Sequence, residues 1–562
     1  MSGIIGIDLG TTNSAASFME DGEAKIIPND RGSRLTPSIV AFSEDNELLV
    51  GEAAKNQGMV NSQGTVRSVK RKMGGGEPIY CHGQRYSPQE ISSFILNKIK
   101  KDSEDYLGKD IREAVISVPA YFNEKQRRAT REAGRLAGFK VRRIINEPTA
   151  AALAYASTVE GNKNVLVYDL GGGTFDVTVL RSEGKRFTVL STAGDNRLGG
   201  NDFDRILFER VNSRFSEESG MDIGEDAMLR QQLMEQVERA KIELSGRETA
   251  LIALPFIGGD RKPVHLSYTL KRKELDEMIR PLIERTIELS RQAVDEAAVE
   301  IDTLIFSGGS SRIALVHTLM EEEFRVKPEG KINPDEVVAL GAAVQSSLLE
   351  FEEGTVVTFQ DVTPLPLGVE IDGGEFQCVV AKNSPIPSEK TQVFTTVADN
   401  QSTVEVHVLQ GIGERAEDNT SLGRFLLTGI RRAKRGIPQI EVHFKVDLDG
   451  LLNVTAKDLD TGVSQDVTIS REGEQEEGDL SDESLRMRID SLVKRAKGLY
   501  LNASSDIDSS FREEVDEIID RSLKAADKKN RRDMLECRVA LETVVKELVS
   551  IQQEQEVGFG RA

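Results

Sequence analysis

The stretch Asp8-Leu-Gly-Thr-Thr-Asn-Ser14 follows the apolar run Ile4-Ile5-Gly6-Ile7, and a close counterpart, Asp169-Leu-Gly-Gly-Gly-Thr-Phe175, follows Val165-Leu-Val-Tyr168. Each reads as a strand entering a glycine turn. A Walker A loop needs Gly-Lys-Ser/Thr, but Gly108-Lys109, Gly184-Lys185 and Gly330-Lys331 are each followed by another residue type. A Rossmann fingerprint needs a third glycine and a helix after the turn, whereas Gly171-Gly-Gly-Thr-Phe-Asp176 lacks that glycine and runs into the strand-like Val177-Thr-Val-Leu180. The glycines therefore join strand to strand. Gly10-Thr11-Thr12 and Gly171-Gly172-Gly173-Thr174 then present unobstructed backbone N–H groups beside threonine hydroxyls, which suits a polyphosphate. Asp8 and Asp169 stand just before the turns, where carboxylates can hold a hydrated Mg²⁺ against the phosphates.

The rest of the chain bounds the setting of these turns. Its 562 residues exceed the roughly 250 to 300 at which one hydrophobic core stops growing, so two or more domains are expected. A net charge of -21 argues against nucleic acid or an anionic membrane as the main partner, since phosphate surfaces select for Lys and Arg. Cys81, Cys378 and Cys537 are far apart and odd in number, which suits a reducing compartment. Met1-Ser2-Gly3 runs straight into a strand-like segment without a basic leader, and no apolar stretch approaches the ~20 residues of a membrane span. A cytoplasmic location is expected. The five histidines, His82, His265, His317, His407 and His443, are scattered and are assigned neither metal nor catalysis.

Up to about Glu350, β-rich runs alternate with amphipathic helical stretches such as Leu275 to Ala297, an α/β signature. From Val362 to about Ser470 the period falls to two. Ile440, Val442, Phe444, Val446 and Leu448 alternate with polar residues, Asp449-Gly450 supplies a hairpin turn, and Leu452, Val454 and Ala456 resume the alternation. With Val404-Glu-Val-His-Val408 this predicts an antiparallel sandwich. The acidic Glu472-Gly-Glu-Gln-Glu-Glu477 reads as a linker, and Ser481-Asp-Glu483 as a helix cap. Leu485, Ile489, Leu492, Val493 and Ala496, then Val515, Ile518, Ile519 and Leu523, mark a helical unit.

Both turns, Val118-Pro-Ala-Tyr-Phe-Asn123, Ile145-Asn-Glu-Pro-Thr-Ala-Ala-Ala-Leu-Ala-Tyr155, Ser307-Gly-Gly-Ser-Ser-Arg312 and Asn333-Pro-Asp-Glu336 resemble the ATPase domain of the seventy-kilodalton heat-shock protein family, the DnaK-type chaperones. The resemblance continues through Asp361-Val-Thr-Pro-Leu-Pro-Leu-Gly368, Asp399-Asn-Gln-Ser402 and Gly436-Ile-Pro-Gln-Ile-Glu-Val442, so it covers nearly the whole chain. It implies a multidomain protein: an actin-like α/β ATPase domain over 1–352, an interdomain linker over 353–361, a β-sandwich peptide-binding domain over 362–471, and an acidic linker with an α-helical lid over 472–562. In the family each lobe of the ATPase domain offers one hairpin to ATP in the cleft between them.

The resemblance also implies roles. Gly10, Thr11 and Thr12, with Gly171, Gly172 and Gly173, hold phosphates, and Asp8 and Asp169 organise Mg²⁺ through water, with K⁺ as a further candidate ion. Thr174 lies near the γ phosphate. Lys70 orients the attacking water, although on residue type alone it would be one cation in a solvated run with Arg67, Arg71 and Lys72. Glu147, Asp169 and Asp176 are the candidates for positioning or deprotonating that water. Glu238, Lys241, Ser245, Gly308, Gly309, Arg312 and Asp335 take the adenosine end. Pro119, Arg127, Arg143, Val357 and Phe359 couple the domains. Val369, Asp372, Phe394, Val397, Val404 and Val406 line the site for an extended peptide of unfolded protein. A J-domain co-chaperone and a nucleotide exchange factor are the implied partners, in a heat-shock and stress-response setting.

The chain departs from the family pattern in places. Val356-Val-Thr-Phe-Gln360 keeps Val357 and Phe359 but inserts polar residues, so weaker docking of the linker on the ATPase domain is expected. Asp372 replaces an apolar residue of the peptide-enclosing arch, which predicts a preference for basic clients unless it simply forms a turn with Gly373-Gly374. The first lobe is compact between Gly74 and Pro88, and the chain ends at Ala562 without a long tail, as in a shorter bacterial paralogue. Small-molecule kinases and actin-like filament proteins share the ATPase fold. Neither explains the sandwich and lid.

Overall fold

Two mixed sheets repeat one strand order, each built outward from a hairpin that carries a glycine turn. In the first, Ile4–Asp8 pairs antiparallel with Asn13–Glu20, which pairs with Glu23–Ile27. On its other side Ile4–Asp8 accepts Glu113–Val118 and then Lys140–Asn146, both parallel. In the second, Asn162–Leu170, Phe175–Glu183 and Arg186–Asp195 form the same antiparallel series, while Thr303–Ser307 and then Pro328–Glu329 join in parallel. The computed structural model describes residues 3–468 except 44, 82, 156–160, 185, 258–263, 331 and 351–357, and beyond them 489, 492–493, 496–497, 509–528, 533–534, 537, 540–541 and 544. Val357, His82, Leu485 and the cap at Ser481 therefore lie outside the described residues.

Helices cover these sheets, so strands such as Phe175–Glu183 are buried over most of their length, polar Asp176 and Thr178 included. Two helices, Glu147–Ala154 and Val337–Glu350, join the halves. Ala150, Ala151, Ala152 and Ala342 share one buried cluster there. A Cβ on Gly341 would stand 1.7 Å from the Ala150 carbonyl oxygen, so this crossing needs glycine.

The period-two region forms two four-stranded antiparallel sheets. One runs Glu375–Val380, Leu367–Ile371, Thr403–Gln410, Thr420–Thr428, and the other Ser388–Phe394, Ile440–Val446, Leu452–Asp458, Ser464–Thr468. Ile440, Val442, Phe444, Val446, Leu452, Val454 and Ala456 all enter their shared core. The alternation stops at Val446: residues 447–450 turn, and Leu448 is left exposed. The segment Thr358–Val362 extends the second sheet, parallel to Arg186–Asp195 and antiparallel to Pro385–Ile386, with Phe359 stacked on Phe187 at 6.5 Å. Its polar interruption does not prevent strand addition, because Thr358 takes an exposed position while Phe359 packs against the buried cluster.

The chain divides into two compact units, 1–469 and 470–562, so the α/β part and the sandwich belong to one unit. The second contains the amphipathic helix Ser509–Lys528, whose Val515 and Ile519 join Ile489, Leu492, Val493, Ala496 and Leu541 in a core. No helix among the described residues is long and apolar enough to cross a membrane.

Candidate active site

The shared strand order puts the two glycine turns face to face. A Cβ on Gly172 would lie 2.0 Å from the Thr12 hydroxyl, and one on Gly173 2.5 Å from the Thr11 methyl, so only glycine lets the turns approach this closely. Between them opens a cavity of about 360 Å³, within the range of small-ligand sites. Asp8, Gly10, Thr11, Thr12, Lys70, Glu147, Asp169, Gly171, Gly172 and Thr174 line one end, and Glu238, Lys241, Ser245, Gly308, Gly309, Arg312 and Asp335 the other. Gly173 and Asp176 are not in its lining. Gly173 instead receives Arg71 on its carbonyl, and Asp176 accepts the Tyr121 N–H at 2.8 Å.

Asp8 and Asp169 are held by matching devices. Ser117, on the strand parallel to that of Asp8, donates to Asp8 at 2.8 Å, and Ser307, directly opposite Asp169, donates to it at 2.9 Å. Lys70 is buried and ion-paired to buried Glu147, so it is no member of a solvated basic face. The electrostatics follow from this crowding. Burial, then Glu147, pushes the Asp8 carboxyl up to about 7 against the pull of Lys70 and Ser117. Burial, then Glu147, likewise raises Asp176 to about 7, and burial with Glu147, Asp176 and Asp8 holds Asp169 well above the carboxylate range. Burial opposes the Lys70 ammonium, but Glu147, Asp8 and Asp169 outweigh it and raise its pKa. Four acids share one lysine. Such a site has unmet demand for positive charge.

At the other end Lys241 donates to Asp204 at 2.8 Å and to the Gly200 carbonyl, while Arg312 pairs with Asp335 at 2.9 Å. Ile242, 62% exposed, presents an apolar surface to the same end, with Ile313 and Leu35 nearby in the lining. Residue types had not singled out these three or Ser307. An apolar residue beside Lys241 on an otherwise amphipathic helix was the signal for Ile242. Burial raises the Asp204 carboxyl to about 6 in spite of Lys241, and its Oδ1 has no hydrogen-bond partner. A raised folded pKa means stabilisation present at low pH and lost as pH climbs from the ordinary value of 3.8 through about 6. Asp204→Asn is therefore expected to flatten the fall in unfolding free energy between pH 4.5 and 6.5 by roughly 1–2 kcal/mol. Urea titrations of both proteins at the two pH values check this, and parallel slopes would contradict it.

Within the same unit the sandwich touches the α/β part at several points: Lys382 pairs with Glu296 at 2.7 Å, Asn383 accepts the Thr192 N–H at 3.2 Å, and an acidic loop around Asp449 makes the densest set. Asp449 accepts the Ile144 N–H at 3.1 Å, pairs with Arg131, and lies 3.4 Å from Arg143. Arg127, buried, donates to the carbonyls of Asp449, Ala120 and Phe122. Gln410 accepts the Glu124 N–H at 3.0 Å and Arg128 reaches the Leu452 carbonyl at 2.9 Å. Asp361, in the strand entering the sandwich, accepts from Asn146 at 2.7 Å and Thr149 at 2.8 Å. Arg127, Arg143 and Phe359 thus lie at or beside this contact, and Pro119 caps the turn that supplies Phe122. Asp449 had read only as a hairpin turn; it is both turn and contact.

The residues assigned to peptide separate by burial. Val369 and Val406 lie inside the sandwich core, Phe394 and Val404 are half-buried at its margin, and Val397 is 58% exposed in a loop. Asp372 is exposed in the turn with Gly373-Gly374. A family model described as Hsp70 protein matches residues 4–558.

Proposed function

Because this chain belongs to the Hsp70 family, we propose that it is an ATP-dependent chaperone whose hydrolysis of ATP in the cleft switches the affinity of the sandwich for extended apolar peptide segments of unfolded proteins. Family members are ATPases with a general chaperone role, binding ATP with a divalent metal. The residues here fit such a cation. Half-buried Asp8 and buried Asp169 resist ionising without added positive charge, and Asp176 has an unpartnered oxygen. No three described His, Cys, Asp or Glu side chains converge as direct ligands, which favours Asp8 and Asp169 holding Mg²⁺ through its water shell, with K⁺ as a second candidate. When bound, the cation neutralises phosphate charge and orients the phosphates.

The chain's own groups supply the rest. Backbone N–H groups of the two turns with the Thr11, Thr12 and Thr174 hydroxyls cradle the phosphates. Lys70, fixed by Glu147, orients the attacking water. Glu147, Asp169 and Asp176 are the carboxyls proposed to position or deprotonate that water. Phosphoryl transfer asks mainly for such alignment and charge placement. The adenosine end falls to Glu238, Lys241, Ser245, Gly308, Gly309, Arg312 and Asp335, with Ile242 as a platform for the base.

The carrying observation is a spacing. Glu147, paired to Lys70 at the cleft, and Thr149, bonded to Asp361 at the sandwich entrance, stand on one short helix. A change at the phosphates that moves Glu147 also moves the sandwich contact. The domains of the proposal are an ATPase domain over 1–352, linker over 353–361, peptide-binding sandwich over 362–471 and lid over 472–562. Phe394, Val397 and Val404, backed by Val369 and Val406, form the apolar subsite, with Asp372 at its edge. A J-domain co-chaperone and an exchange factor complete the cycle. The test is ATP hydrolysis with and without a Leu-centred peptide: stimulation of several-fold is expected, and a rate indifferent to peptide but responsive to a sugar would favour a kinase.

A further inference from the structure

Across one sheet of the sandwich, three strands bring an acid, a base and a hydroxyl into line. Glu370 on Leu367–Ile371 faces His407 on Thr403–Gln410, with Glu370 Oε2 2.6 Å from His407 Nδ1. His407 Nε2 lies 2.8 Å from the Ser421 hydroxyl on Thr420–Thr428. A carboxylate only accepts hydrogen bonds, so Nδ1 carries a proton, and in the neutral ring Nε2 offers its lone pair to the hydroxyl. This is the arrangement that activates a serine: nucleophile on base, base oriented by a third group.

The alignment depends on an irregularity in the sheet. Val408 pairs with Gly423 but Leu409 pairs with Ser421, so a bulge leaves Leu422 unpaired between them. In a regular ladder Leu422 would share the face of His407 and Ser421 would point into the core. The bulge instead buries Leu422 and sends Ser421 to the outer face, where it is exposed. Arg424, directly opposite His407, adds a guanidinium on that face, held by Glu405 at 3.1 Å and Glu370 at 3.4 Å. His407 itself is buried to 7% exposure. Nucleophile, base and orienting acid are thus together, the base buried and the nucleophile open to a reagent, with the exposed Arg424 guanidinium on the same face.

We propose that Ser421 is a reactive nucleophile, separate from the nucleotide cleft, that accepts the acyl group of activated esters and thioesters. The Ser421 oxygen bonds to the acyl carbon while its proton passes to Nε2 of His407. The donor's bond to its leaving oxygen or sulfur then breaks, and the imidazolium returns the proton to the departing alcohol or thiol. The products are O-acyl-Ser421 and that alcohol or thiol. No electrons are exchanged with any other species.

The full chain is mixed with p-nitrophenyl acetate, release of p-nitrophenol is followed, and the acetylated residue is located by mass spectrometry. Acetylation of Ser421 is expected to outpace that of the same residue in the urea-unfolded chain by roughly 10²-fold, and His407→Gln to lower it by a similar factor. Glu370→Gln is expected to act in the same direction, and Ser421→Ala to abolish the signal at that position. If folded and unfolded chains acetylate Ser421 at equal rates, the three residues are a hydrogen-bond ladder only and the proposal falls; the folded-to-unfolded ratio decides this even if a variant fails to fold. Loss of the His407 effect in a variant that melts normally would overturn it equally.

Discussion

Lys70→Ala is expected to slow single-turnover ATP hydrolysis by roughly 10²- to 10³-fold, the usual loss when one preorganised charge is removed from a transition state. ATP affinity should change by less than about tenfold, because the phosphate turns and the adenosine end are untouched. The reason is the position of the ammonium. Lys70 shares a buried pocket with Glu147, Asp8 and Asp169, whose charges outweigh its burial and keep its proton on. Removing it also strips Glu147 of its partner, so Glu147→Gln should reproduce part of the loss. Quench-flow hydrolysis alongside equilibrium ATP binding checks the pair; near-normal hydrolysis by Lys70→Ala would remove the lysine from the mechanism.

The second large effect is expected at Asp449. Its carboxyl is pushed up by burial and drawn down by Arg131 and Arg143, which are left facing nothing in Asp449→Ala. Asp449 is buried but Arg131 is partly exposed and screened by water, so losing the carboxylate with its charge-assisted hydrogen bonds costs roughly 1.5–3 kcal/mol. That cost falls on the docked arrangement alone, since neither the cleft nor the sandwich core contains Asp449. Undocking should therefore leave ATP affinity and peptide affinity each nearly intact while the effect of ATP on peptide release shrinks to within about twofold. Stopped-flow release of a labelled peptide measures it. A full ATP effect in the variant would show that coupling runs through Asp361 or Phe359 instead.

Local chemistry made the fold legible wherever it was self-sufficient. Asp-Leu-Gly before a turn and valines at period two demand strands whatever surrounds them, and the two hairpins and the sandwich follow. Lys70 was different: its neighbours Arg67, Arg71 and Lys72 argue for a solvated face, and only the arrival of Glu147 from 77 residues away makes it a buried ion. The same holds for Asp449, whose role depends on Arg131 and Arg143 more than 300 residues earlier. The Glu370-His407-Ser421 line was invisible for another reason. It requires a bulge, and no residue type between Val408 and Gly423 announces one.

That ATP in the cleft governs peptide held by the sandwich is tested most directly by one release experiment on the full chain. A fluorescent peptide with a Leu core is bound in ADP and Mg²⁺, then mixed with excess unlabelled peptide in either ADP or ATP. Release at least tenfold faster in ATP than in ADP is the expected result; equal rates in the two nucleotides would contradict the account.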